Sequence, residues 1–429
     1  MSRSTHAVFA LVFVAAACST SESDPGHGAA GATGLVGGAS SSSAAGTFGA
    51  ASGGATGSSA GTSSTSGGTA GAPSVAGAGA FAAGGHFGEG TAGTSVVVAG
   101  AAGQGGSGSG GAGAGGDVSE AGGAAGDFGS DPTTGTPTEV GLASLPEARQ
   151  EHGVVAVGGE VYVLGGYTPD VTASVLAYDP QTDSWHSVAD FPSPFNHPAA
   201  GVVNGKIYVA GFYAGTSLTG PATGRTFVYD PTADHWTEKK ALPAGTERAG
   251  GCVAVLGTLV FVFGGGTNGN ATSFASVYDT ASDSWRDLPA LPETREHCAA
   301  FASGGKLYIV GGRTHVIQEF RPSTLEFDPA AQTYVEKTPI PTARGGLAGA
   351  VLGGRLFVFG GEGADNSLGV FDNIDAYDAE TDSWQSFPPL TVPRHGFGAA
   401  TLGDRIYLPG GAIHQGGAAT DVVTAFYFE

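Results

Sequence analysis

The chain has 429 residues, with 77 glycines, three cysteines and a formal net charge of −21. Residues 1–140 carry one basic and eight acidic groups, and residues 141–429 carry 16 basic and 30 acidic groups. An acidic balance in both parts excludes a general affinity for nucleic acid or anionic lipid, because the phosphate attraction behind such binding turns into repulsion.

Arg3 is followed by an apolar run from Ala7 to Ala17. Eleven residues are too few to span a bilayer as a helix but suit the apolar region of a signal peptide. The run ends in Ala15-Ala16-Ala17-Cys18-Ser19, which resembles a lipobox, with Ala15 where Leu is usual. Residues 1–18 are therefore expected to be an export signal and Cys18 a lipidation site; cleavage after Ala17 without a lipid is the alternative. The expected location is the outer membrane or cell surface, otherwise the periplasm or exterior, with membrane contact only through a lipid at Cys18.

Residues 19–137 are rich in Gly, Ala and Ser. No Lys or Arg occurs between Arg3 and Arg149, and 37 of the first 140 residues are glycine. So few large apolar side chains cannot offset the entropy of ordering, so this segment is expected to be a disordered linker. A Gly-rich coil of this length reaches roughly 60 Å. Its Gly-x-Gly-x-x-Gly matches have no strand before them or amphipathic helix after them, which removes a phosphate-binding reading.

From Leu145 onward the chain repeats with a period near 50 residues, a signal to be sought before any other. Apolar runs end in Gly pairs at Gly165-Gly166, Gly264-Gly265, Gly311-Gly312, Gly360-Gly361 and Gly410-Gly411, with Ala210-Gly211 as the departure. An aromatic precedes Trp or Tyr by seven residues at Tyr178/Trp185, Tyr229/Trp236, Tyr278/Trp285, Phe327/Tyr334 and Tyr377/Trp384. All four Trp share this register. Each unit reads as four short strands, with two-residue turns such as Gly158-Gly159 and Asn204-Gly205 that suit positive φ. The sixth unit ends near Phe428 with no room for a fourth strand. Glu139–Arg149 aligns with Trp285–Arg295, the outer strand of another unit, so the N-terminal strand is expected to close the ring.

These residues resemble the kelch family over about residues 139–429. The expected fold is all-β: a six-bladed β-propeller over residues 138–429, with four-stranded blades and the ring closed by the N-terminal strand. The Gly-pair loops vary from 12 to 18 residues and share one mouth with the segments that enter each blade. Variable loops on one face suit recognition.

At that mouth stand Arg149, Arg248, Arg295, Arg344 and Arg394, with Phe195 in the sixth place. One reading has them pairing with carboxylates or carbonyls of the neighbouring blade; the other makes them a cationic ring for an anion, using planar guanidinium forks. Glu151, His152, His197, Glu296, His297 and His395 lie beside them, with Arg313 and Glu362 directly after Gly pairs. In kelch propellers that bind peptides, the resemblance implies ligand contacts from this mouth. No metal site is expected, since His197 and His297 lie two blades apart with the channel between them. No cofactor is expected either. Cys252 and Cys298 are offset by one residue in adjacent blades, and burial as small apolar residues is expected rather than a disulfide.

The leading functional expectation is a monomeric, surface-displayed binding module for a peptide, protein or glycan, with an acidic ligand in view. One alternative is a sugar-acting enzyme similar to the sialic-acid mutarotases, with Glu151, Glu296 or a His as acid–base candidates. Another is a structural envelope protein. No residue is assigned a catalytic role. A copper-radical oxidase is excluded, because neither propeller Cys is placed at the mouth with the Tyr and His partners such an enzyme needs.

Overall fold

The computed structural model describes residues 131–314 and 319–429. The expected export signal, Cys18 and the linker up to residue 130 lie outside the described residues. Among the described residues there is no helix, and the strands form six four-stranded antiparallel sheets. Blade one runs Gly153–Val157, Glu160–Leu164, Val175–Asp179 and Ser184–Val188. Blades two to five follow the same order, beginning at Ala199, Cys252, Ala299 and Ala348. Blade six takes Ala400–Leu402, Arg405–Pro409 and Val423–Phe428, and its outer strand is Pro137–Gly141, paired from Pro137↔Phe428 to Gly141↔Thr424. The strand Pro137–Gly141 closes the ring, so the first and last strands of the propeller pair with each other and no seam is left open between its ends. Ahead of the first strand, Thr133 is buried, and Asp131 and Thr133 sit against Gly353.

The second strand of each blade lies between two neighbouring sheets and is apolar on both faces; Val161–Leu164 and Val260–Phe263 are buried throughout. The outer strands alternate, as in Ser184–Val188, because one face meets solvent. The turns between first and second strands use positive φ at Gly158 (64°) and Gly159 (87°), and at Asn204 (51°) and Gly205 (71°), the backbone a tight hairpin requires.

The seven-residue aromatic spacing has a physical cause. Tyr178 donates its hydroxyl to Asp183 Oδ1 (2.6 Å), and the same oxygen accepts the Ala143 N–H from blade six (2.8 Å). Trp185 Nε1 then donates to the Ala143 carbonyl (2.9 Å). Both backbone groups of one outer-strand residue are thus held by the next blade. The clamp recurs at Ala189 (Asp234, Trp236), Lys240 (Asp283, Trp285) and Thr338 (Asp382, Trp384). Blade four departs, with Phe327, Gln332 and Tyr334 in place of Tyr, Asp and Trp. The clamped residue there is Pro289, which has no N–H to offer, and Tyr334 donates to its carbonyl (2.8 Å). The missing aspartate and the proline compensate each other.

Cys252 and Cys298 form a disulfide with Cα atoms 5.3 Å apart, contrary to the expectation of unbonded burial. A one-residue offset puts two side chains on opposite faces along hydrogen-bonded strands of one sheet. These cysteines belong to different blades, and Cys298 precedes its strand, directly after His297 with φ of 55°. The turn there redirects its side chain toward Cys252.

Asp283→Ala removes the acceptor of one clamp and should cost roughly 1–3 kcal/mol, read from urea unfolding at neutral pH. The tyrosine hydroxyls and main-chain N–H groups hold Asp183, Asp234 and Asp283 below the ordinary aspartate value of 3.8. Their contribution is therefore present above about 3.8 and lost as pH falls below it through the folded-state values. Asp283→Asn, which keeps the accepting oxygen, should show a shallower acid decline than the parent, and an equal decline would contradict the clamp. Reducing the disulfide, whose ends are 46 residues apart, should lower stability by up to about 4 kcal/mol on loop-closure entropy; an unchanged urea midpoint would show that the bridge constrains nothing.

Candidate functional site

The Gly pairs and the arginines form one joint between blades. The N–H groups of Gly265, Gly312, Gly361 and Gly411 donate to the carbonyls of Arg295, Arg344, Arg394 and Arg149 in the next blade (2.8–3.0 Å). The first glycine of each pair faces the same carbonyl: a Cβ on Gly410 would lie 2.7 Å from the Arg149 oxygen. No side chain fits there. The guanidinium turns back into its own blade, not the neighbour's. Arg149 Nη1 donates to Gly165 O and Ser174 O (3.1 Å each), and Arg394 Nη1 to Leu408 O, Gly410 O and Val422 O (3.0–3.1 Å). Arg248, Arg295 and Arg344 do the same, and Arg344 Nη2 also pairs with buried Asp375 (2.8 Å). All five arginines are 0–1% exposed. They build the mouth from beneath and do not line it. In blade two the pair expected at Ala210-Gly211 falls one residue later, because Ala210 is the last residue of the second strand. Gly211 is its first member, Phe212 replaces the second glycine and Phe195 the arginine, and the two rings pack at 5.6 Å in the vacated space.

Two residues after each of these positions the chain enters a left-handed conformation and meets its neighbours on the propeller axis. His197 N–H donates to Glu151 O (2.9 Å), Gly250 to His197 (2.8 Å) and His297 to Gly250 (2.9 Å). Gly346 donates to His297 (3.0 Å), Gly396 to Gly346 (2.8 Å) and Glu151 to Gly396 (2.6 Å), which closes a six-membered backbone ring. Every member has φ between 53° and 64°. Below the ring lies a cavity of about 220 Å³, whose rim is His152, Pro198, Gly251, Cys298, Leu347 and Phe397.

The expectation that a channel separates His197 from His297 is therefore corrected. Their rings stand 4.9 Å apart, edge to face, because the loops close onto the axis and the intervening ring member, Gly250, has no side chain. Glu151 reaches over Gly396, where a Cβ would lie 2.5 Å from the carboxylate. Glu151 Oε2 sits 3.2 Å from His197 Nε2 and 3.6 Å from His297 Nε2. Glu296 Oε1 approaches His297 Nδ1 (3.5 Å) and Arg313 Nε (3.3 Å), and Arg313 pairs with Glu362. His395 Nδ1 is 3.8 Å from Glu362 Oε2, with its Nε2 on the His414 carbonyl (2.8 Å). Among the expected site residues, Glu151, His197, Glu296, His297, Arg313, Glu362 and His395 thus come together. His152 does not: it lies under the ring with Nε2 on Pro409 O (3.0 Å).

Burial and the nearby Arg313 guanidinium oppose a charge on His297, but the Glu296 and Glu151 carboxylates outweigh them and push its imidazole up to about 9. Burial dominates at His197 and pushes it down to about 4 despite Glu151. Burial opposes the Glu151 charge as well, yet the two imidazoles hold its carboxyl well below the usual range. His297 and Arg313 bring Glu296 down to about 2 against its burial. The mouth thus places a buried carboxylate and an imidazolium in contact beneath its loops.

Two members were not expected. Asn196, fully buried, accepts from His197 Nδ1 at 2.5 Å and donates to Ser217 O (3.3 Å). Tyr213 packs edge-on to His197 at 5.3 Å. Both were detectable by register: Tyr213 follows the Gly-pair position, as Arg313 and Glu362 do, and Asn196 occupies the place of Glu296. The longest Gly-pair loop delivers Tyr213 and the Ser217 carbonyl.

Six four-stranded blades, Gly-pair joints and loops gathered at one mouth define the propeller class. The sequence matches the KLHDC2/KLHL20/DRC7 Kelch-repeats domain over residues 239–411 and the Kelch motif over 148–192. It is 34% identical over 319 residues to Kelch-like protein terF of Aspergillus terreus (strain NIH 2624 / FGSC A1156), covering 69% of this chain and 70% of that protein. Beta-scruin of Limulus polyphemus is 30% identical over 128 residues, covering 29% of this chain and 14% of that one. The solved structure of YjhT superposes with a TM-score of 0.55 at 17% identity, covering 66% of this chain and 96% of YjhT, a likeness of fold. The chain belongs to the kelch-repeat family. Kelch propellers are generally binding modules, and their usual ligands are proteins.

Since Arg344 and Asp375 are 0% and 1% exposed, Arg344→Met should cost about 3–5 kcal/mol by leaving a buried carboxylate unpaired. Arg344→Met with Asp375→Leu should recover much of that loss. Equal unfolding midpoints for Arg344→Met and the parent would refute the structural role of these arginines.

Proposed function

We propose that the protein is a displayed binding module that holds a peptide, protein or glycan at its Gly-pair mouth. The observation that carries this reading is the contrast between the two faces. One has turns of constant length, fixed by the aspartate and tryptophan clamps; the other has loops of 12 to 17 residues around a polar cluster that keeps partial access. Side chains of Glu151, Glu296 and Arg313 are 10–13% exposed, so their polar atoms can exchange partners with a ligand. An acidic preference loses its support, because it rested on the five arginines buried beneath the mouth. Export and a lipid at Cys18 belong to this proposal; the disulfide supports an oxidising compartment, and the lipid itself rests on the sequence alone.

A second reading, a sugar-acting enzyme, is favoured by one observation. The His297 imidazolium and the Glu151 carboxylate are an acid and a base 3.6 Å apart, the pairing that proton transfer at a sugar ring oxygen needs.

A thermal-shift panel on the full chain with neutral oligosaccharides, acidic sugars and peptides tests both readings. A ligand at a hundred times its dissociation constant adds about 2.7 kcal/mol. The expected result is a saturable shift with one class, reduced at least tenfold in affinity by Arg313→Gln or Glu362→Gln and unchanged by Arg355→Gln on the opposite face. No shift, or one indifferent to the mouth substitutions, overturns the binding reading. Accelerated exchange of sugar anomers, lost in Glu151→Gln, would replace it with the enzymatic one.

A further inference from the structure

We propose that Glu151, His197 and His297 form a binding site for one divalent transition-metal ion, of the zinc class, on the propeller axis. This inference goes beyond the binding reading and stands whether or not the mouth takes a peptide or glycan.

The ligand set comes from three different blades and is assembled by the backbone ring alone. The three residues can each present one ligand atom, all within 4.8 Å of one another. Zinc takes imidazole nitrogen and carboxylate oxygen at about 2.0–2.2 Å in tetrahedral geometry, which sets ligand atoms about 3.3 Å apart. The two carboxylate–imidazole separations, 3.2 and 3.6 Å, bracket that value. Two imidazoles and one carboxylate suit borderline transition ions better than the all-oxygen shells of calcium or magnesium.

An independent observation is the group behind each imidazole. Metal-bound histidines turn their second nitrogen toward a carbonyl or carboxylate, which sets the tautomer and aims the other nitrogen at the ion. His197 Nδ1 meets Asn196 Oδ1 at 2.5 Å, and the amide is oriented by its own donation to Ser217 O. The proton is thereby placed on Nδ1, and the Nε2 lone pair faces the Glu151 carboxylate at 3.2 Å. Two acceptors this close call for a proton or a metal cation between them. His297 Nδ1 lies 3.5 Å from Glu296 Oε1, the equivalent arrangement with a carboxylate, and the ion displaces the proton that the imidazolium carries on Nε2. Arg313 Nη2 is 3.3 Å from His297 Nε2, but its guanidinium is tied to Glu296 and Glu362, so its charge is balanced away from the ligand point.

The backbone gives the same indication. Glu151, His197 and His297 hold φ of 53–55°, while the other three ring members are glycine. Left-handed conformations in residues other than glycine are strained and concentrate at functional sites. Of the six ring positions, the three with side chains are the three that converge. Tyr213 beside His197 and the mouth above leave a fourth position for water or a bound ligand.

The test is titration of the chelator-stripped full chain with Zn²⁺ by calorimetry, together with the visible spectrum of the Co²⁺ form. The expected result is one ion per chain and a Co²⁺ spectrum of low coordination number with nitrogen and oxygen ligands. His197→Gly and His297→Gly place in the ring the residue it already carries in three blades, so folding should survive; each should weaken binding at least a hundredfold. Asn196→Ala should weaken it about 10–100-fold by freeing the His197 ring. His186→Ala, at a half-exposed histidine outside the ring, should change nothing. Absence of stoichiometric binding to the parent chain overturns the proposal. So does retained affinity in a folded His197→Gly, His297→Gly double variant.

Discussion

A carbonyl at the entry of each blade organises the ring. In five of the six joints it accepts an N–H from the preceding blade's glycine pair; it excludes a side chain from the first glycine of that pair, and in five blades it belongs to an arginine whose guanidinium is buried in its own blade. The one residue therefore joins two blades through its backbone and braces one of them through its side chain. A net hydrogen bond in a protein is worth about 1 kcal/mol, so no single joint is decisive. The closed ring is, because each joint fixes the position from which the next is made.

The outer rim repeats this logic with different groups. Aspartate and tryptophan hold the two backbone groups of one residue in the neighbouring blade, and the proline at 289 relaxes the demand for aspartate in blade four, which lacks both residues. Inner and outer joints together leave one face of each blade with little freedom. The loops that escape both joints are those after the glycine pairs, and variation in length accumulates there because nothing in the scaffold opposes it.

Convergence on the axis follows from the same joints. Once the carbonyl joint is made, the chain must turn within two residues to enter the first strand, and the left-handed backbone of that turn brings six residues into one hydrogen-bonded ring. Any side chain placed there points into a space only a few ångströms across. Glycine is the easy occupant at that φ, and it serves in three blades. A glutamate and two histidines in the other three are costly by about 1–3 kcal/mol each. They also make the most tightly coupled group of charges at the mouth.

The blade count, the strand order within each blade and the closing strand were legible in the sequence, because each rests on local spacing: a glycine pair after an apolar run, an aromatic seven residues before tryptophan, an outer-strand pattern stranded at the N-terminus. The position of the mouth was legible too, along with most of the residues that line it. Their roles were not. Burial of the five arginines depends on where the guanidinium turns, which spacing does not encode. The meeting of His197 with His297 depends on loops that close onto the axis past Gly250, and the bond between Cys252 and Cys298 on the turn ahead of the fourth blade's first strand. The sequence by itself determined the repeat, the ring and the shared register of Glu151, His197 and His297. Only the tertiary structure decided that this register lies on the axis, where equivalent positions in separate blades become neighbours because ring closure brings them within reach of a single hydrogen bond.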